Sequence, residues 1–132
     1  MRTNSKRVFL LLVIVAGLMM SGGFAQQKKK AKPCGESGNQ FELNQCAAKE
    51  YQAADAALNK VYGQLMSKLE DNHKAKLKQS EIAWLKFREA NCEFSSFINE
   101  GGTAYPMVYN GCLTSMTNDR TKELKAMLED FK

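Results

Sequence analysis

Apolar residues recur at Ala47, Tyr51, Ala54, Leu58, Val61, Leu65 and Leu69, in steps that alternate between four and three. That spacing keeps returning to one side of an α-helix and does not fit the two-residue period of a strand. The stretch is therefore expected to be one long helix with a single face against a core. Asn39-Gln40-Phe41-Glu42 supplies its start, with Asn39 capping free N–H groups and Glu42 reaching back. Asp71-Asn72-His73 interrupts the pattern and predicts a tight turn there. A second helix is expected from about 74 to 99, with Leu77, Trp84, Leu85, Phe87, Phe94 and Ile98 on or near its inner side. It should break at Glu100-Gly101-Gly102-Thr103, where two glycines disfavour helix. Residues 103–111 show no helical period and hold Tyr105, Pro106, Tyr109 and Gly111, so they read as a loop. A third helix should begin near Cys112 or Thr114, carrying Leu113, Met116, Leu124, Met127 or Leu128, and Phe131. The expected fold is all-α, an antiparallel helical hairpin closed by a third helix.

The N-terminal part has a different character. Arg2, Lys6 and Arg7 precede 13 uninterrupted apolar or glycine residues, Val8 to Met20, and Gly23-Phe24-Ala25 offers the small residues a signal peptidase reads. Residues 1–25 are expected to be a signal peptide cleaved after Ala25. The apolar run is shorter than the ~20 residues that span a bilayer, so no membrane span is expected in the mature form. No cysteine follows the run directly, which argues against a lipid anchor. Residues 26–33 hold four lysines and read as a disordered, solvated linker, leaving 34–132 as one small helical domain. Four cysteines, all beyond the signal, fit disulfide stapling of a modest core in the periplasm or outside the cell. Two local bridges, Cys34–Cys46 and Cys92–Cys112, are expected; Cys46–Cys92 with Cys34–Cys112 is the competing arrangement.

Charge and side-chain chemistry exclude several functions. From Cys34 to Lys132 there are 12 Lys and Arg against 14 Asp and Glu. With no basic face, nucleic acid is not an expected partner. The cysteine spacings are not those of zinc sites, no C-x-x-C occurs, and His73 is the only histidine, so neither a metal nor a cofactor is expected. No Ser-His or Cys-His nucleophile can be assembled, and an enzyme is not expected.

Ser80, Trp84, Arg88 and Cys92 fall four apart on one face of the second helix. In an antiparallel hairpin Asp55 comes opposite Arg88 and Asn59 opposite Trp84, and Arg120 of the third helix approaches the same level. A structural polar layer of Asp55, Asn59, Arg88 and Arg120 is expected under Trp84, setting the register of the helices.

Cys34, Asn44-Gln45-Cys46-Ala47, Ala54-Asp55, Leu58-Asn59, Tyr62, Leu77, Ala83-Trp84, Phe87-Arg88, Cys92, Gly101-Gly102, Cys112, Thr117-x-x-Arg120 and Glu123-Leu124 follow one ordered pattern. It resembles that of the LprI-type lysozyme inhibitor domain, from Cys34 to Phe131. Glu81-Ile82 stand where that pattern has Gln-Arg, a difference assigned to the outer side of the second helix. The resemblance implies an exported, disulfide-stapled helical domain that inhibits lysozyme and protects peptidoglycan. The acidic balance of the folded part suits a cationic, lysozyme-like protein partner. The expected contact is the 101–111 loop, through Tyr105, Pro106, Met107 and Tyr109. The alternative is a periplasmic protein-interaction or wall-binding module with no effect on lysozyme.

Overall fold

The computed structural model describes residues 38–131, and those residues form three α-helices with no strand. Helix α1 spans Gln40–Met66, α2 spans Asp71–Ser96, a 3-10 turn covers Phe97–Asn99, and α3 spans Tyr105–Glu129. The expected signal peptide, the 26–33 linker and the Cys34–Cys46 bridge fall on or involve residues outside those described.

Helix α1 starts as its sequence dictates: the Asn39 side chain accepts from the Glu42 backbone N–H at 3.1 Å. Its buried residues are Ala47, Ala54, Leu58, Val61 and Leu65, the expected face. The turn comes earlier than Asp71-Asn72-His73. Those three residues already belong to the first turn of α2, where an acidic side chain suits the positive end of the helix dipole.

Helix α1 approaches α3 most closely, and α2 approaches α3 next. The pairing of α1 with α2, expected to be the primary hairpin, is less close, and Arg88 of α2 reaches across it to Tyr51 and Asp55. Small residues explain the asymmetry. Ala47 and Ala54 of α1 are buried and short enough to let the two backbones come together, and Ala53, Ala54 and Ala57 share a shallow surface with Thr114 and Asn118 of α3. At one end Gln40 reaches Met107, and at the other Gln64 and Ser67 lie beside Leu128, so α1 and α3 run in the same direction. Helix α2 returns antiparallel to both. Leu58, Val61 and Leu65 pack with Leu124, and Tyr62, Leu69, Leu77, Trp84 and Leu128 surround them.

Three sequence expectations are corrected. Phe87, Phe94 and Ile98 do not face inward; they are exposed, and α2 buries Glu81, Arg88, Cys92 and Ser96 instead. Phe131 is likewise exposed, whereas of the alternatives Met127 and Leu128 it is Leu128 that packs on the core, as the spacing allowed. The 103–111 loop is helix from Tyr105 onward. Pro106 lies in the first helical turn, where its missing N–H has no partner to lose, so it begins α3 rather than breaking it. The true connection is short. Gly101 sits at φ +74°, a conformation that disfavours any side chain, and turns the chain into α3.

Cys92 and Cys112 are bridged, with Cα atoms 5.6 Å apart, so the local pairing holds for this pair. The bridge ties the end of α2 to the second turn of α3 across a sequence separation of 20. Constraining a loop of that size stabilises the fold by roughly 3 kcal/mol. A Cys92→Ala, Cys112→Ala variant is expected to lose about that much in urea unfolding.

Candidate functional site

Two arginines occupy the middle of the bundle, and Trp84 lies within reach of both. Arg88 is 3 % exposed. Its Nη1 donates to Thr117 Oγ1 and its Nη2 to the Tyr51 hydroxyl, each at 3.0 Å. Asp55 forms a longer ion pair with Nη1 at 3.6 Å, and Asn59 donates to the other Asp55 oxygen at 2.9 Å. The guanidinium lies 5.3 Å from the Tyr51 ring centre and 5.2 Å from that of Trp84, a cation–π arrangement on two sides.

Arg120 stands nearby on α3. Its Nε and Nη2 both bond Glu81 Oε2 at 3.0 Å, Nη1 donates to Glu123 at 2.8 Å, and Nη2 also donates to Ser80 at 3.3 Å. It too faces Trp84, 5.7 Å from the ring centre. Burial alone would lower the Arg120 pKa. The bonds to Glu123 and Glu81 outweigh that and hold it above the ordinary arginine value.

The expected layer of Asp55, Asn59, Trp84, Arg88 and Arg120 is thus largely brought together, but in two tiers. Arg120 answers Glu81 rather than Asp55. Glu81 is the residue missed: assigned to the outer side of α2, it is 8 % exposed and holds the buried ion pair. The signal was available, because Glu81 lies seven residues before Arg88 and therefore on the same side of the helix.

Asp55, Glu81 and Glu123 are each paired with an arginine. Glu81 Oε1 and Arg88 Nε are buried without a hydrogen-bond partner among the described residues. His73 is exposed at the far end. The described residues hold no group of His, Cys, Asp and Glu that would bind a metal. A cavity of ≈ 650 Å³ opens beside His73, lined by Leu65, Leu69, Leu77, Met127 and Phe131. Met127 and Phe131 fit a core spacing in sequence, which hid this opening.

Tyr105, Pro106, Met107 and Tyr109 occupy the first turns of α3, on rigid backbone rather than a loop. Being four apart, the two tyrosines stack, with ring centres at 5.7 Å and planes 9° apart. Both are half-buried. Met107 Sδ accepts from Gln40 Nε2 at 3.8 Å, and Asn44 Nδ2 donates to the Thr103 carbonyl at 2.9 Å. These contacts pin the start of α3 to the start of α1, and Cys92–Cys112 pins it to α2. Burial first, then the charges of Glu93 and Glu89, hold the Tyr109 hydroxyl above its ordinary pKa.

Comparison with known proteins follows the fold. The family described as lysozyme inhibitor LprI matches residues 31–124. An uncharacterized protein of Rhizobium meliloti (strain 1021) is 33 % identical over 118 residues, covering 80 % of this chain and 85 % of its own. The uncharacterized protein YecT of Escherichia coli (strain K12) is 26 % identical over 155 aligned positions, covering 94 % and 95 %. The crystal structure of a DUF1311 family protein from Pseudomonas putida KT2440 superposes with a TM-score of 0.60 at 23 % identity, over 70 % of this chain and 95 % of that one. That likeness concerns the fold alone.

Proposed function

Because this chain belongs to the LprI lysozyme inhibitor family, we propose that it is an exported binding protein that occludes a cationic lysozyme and so protects peptidoglycan. The stacked pair Tyr105 and Tyr109 carries this reading. Aromatic side chains held on pinned helix lose little entropy when they enter an enzyme cleft. Glu89 and Glu93 bring negative charge to the same end, which favours encounter with a basic protein. Pro106 is exposed beside the pair and would widen the contact, whereas Met107 turns toward α1 and would support it from behind.

Export supplies the compartment in which disulfides persist and lysozyme is met. Residues 1–25 would be removed at the membrane, leaving the lysine-rich 26–33 segment at the new N-terminus. Among the described residues no helix is long and apolar enough to cross a membrane.

Turbidity of a cell-wall suspension measures lysozyme turnover directly. Excess protein is expected to slow clearing, and a Tyr105→Ala, Tyr109→Ala variant with unchanged helicity to inhibit at least ~30-fold less well, the loss of about 2 kcal/mol from an aromatic hot spot. Unchanged clearing by wild-type protein would refute inhibition and favour a wall-binding or protein-interaction module. Equal inhibition by the variant would move the contact away from α3.

A further inference from the structure

The outer face of α2 carries a second apolar row that no other described element covers. Ala83, Phe87, Ala90, Phe94 and Phe97 recur in steps of four, three, four and three, and all five are exposed. Phe94 is 74 % exposed and Ile98 beside it 81 %. The Phe94 and Phe97 rings stack at 5.7 Å, so the row continues from α2 into the 3-10 turn. A contiguous apolar row of this kind on a small protein marks an interaction surface. The alternating step of four and three is the seam by which one helix packs against another.

We propose that this face pairs with the same face of a second copy, the two α2 helices running antiparallel about a two-fold axis. Volume favours it. In antiparallel knobs-into-holes packing, one register sets Phe87 opposite the second copy's Ala90 and Phe94 opposite its Ala83. Phe97 then meets the small Ser80, so every ring has a hollow to fill. Charge selects the same register. Lys86 and Glu93 lie seven apart on one flank of the row, both exposed. The register that fits the rings brings Lys86 beside the second copy's Glu93, and the two-fold axis repeats the pair. Sliding by one heptad sets Phe87 against Phe97 and brings the two Glu93 residues together, which like charges oppose. A basic foreign protein would gain from Glu93 but would confront Lys86.

Sedimentation equilibrium tests the pairing on the full chain, expressed with its own N-terminal segment and purified oxidised. A concentration-dependent dimer is expected, with Kd in about the micromolar range. Lys86→Glu alone, or Glu93→Lys alone, is expected to weaken it about tenfold at low salt. The double variant Lys86→Glu, Glu93→Lys restores the wild-type constant, because opposite charges meet again. Phe94→Asp gives a monomer of unchanged helicity. A wild-type monomer at about 1 mM, or a charge swap that fails to rescue, overturns the proposal. So does a Phe94→Asp protein that keeps its sedimentation behaviour but no longer retains lysozyme, which would assign the face to a foreign partner. Phe94 and Lys86 play no part in the tyrosine site, so Phe94→Asp and Lys86→Glu separate the dimer from it, while Glu93, which also acts on Tyr109, is read here by sedimentation alone.

Discussion

Arg120→Ala is expected to lower unfolding stability by about 3–5 kcal/mol, measured by urea titration, because it leaves Glu81 charged and buried without its partner. Small single domains unfold with ~5–15 kcal/mol, so at the lower end of that range the loss would leave a substantial unfolded fraction. Arg120→Lys should recover only part of it. An ammonium cannot address Glu81, Glu123 and Ser80 at once, as the planar guanidinium does. Replacing both partners by apolar residues of similar volume, Glu81→Leu with Arg120→Met, is expected to be close to neutral, since neither charge is then stranded. If Arg120→Ala alone proves harmless, the buried Glu81 carboxylate does not depend on Arg120 as its partner.

Trp84→Ala is expected to cost about 3–5 kcal/mol in the same titration. It opens a cavity beside the leucine core and removes the aromatic face from both guanidiniums. Trp84→Phe separates the two effects. A smaller ring still offers a π surface, so its cost should be markedly less than that of alanine, while Trp84→Leu, with no ring, should fall nearer to alanine. Equal destabilisation by Phe and Leu would reduce the indole to simple packing.

How far the sequence disclosed this arrangement differs from helix to helix. Helix α1 was legible because its apolar residues form one stripe and its start carries an asparagine cap. The pairing of Asp55 with Arg88 followed from that stripe and a short turn. Helix α2 misled because it has two faces of opposite habit: charged and hydroxyl side chains point inward, and phenylalanines point out. A rule that sends apolar residues to the core assigns Phe87, Phe94 and Ile98 wrongly there, and assigns Glu81 outward for the same reason. The start of α3 was hidden by Pro106 and Gly111, which usually punctuate loops. Here one sits in the first turn, and the other costs about 1 kcal/mol inside the helix against alanine. The tyrosines were found as candidates by chemistry, and their stacking was hidden with the helix that produces it.

The most intimate backbone partners in this domain, α1 and α3, are also the most distant in the chain: Gln40 and Met107 meet across 67 positions. A chain that emerges with its N-terminus first cannot satisfy the alanine-lined side of α1 until the last helix has followed. Assembly therefore waits for the C-terminal end, slowed by the entropy of closing so long a segment. A product truncated before Tyr105 would leave α1 and α2 without the helix that joins them, prey to proteases until it is cleared.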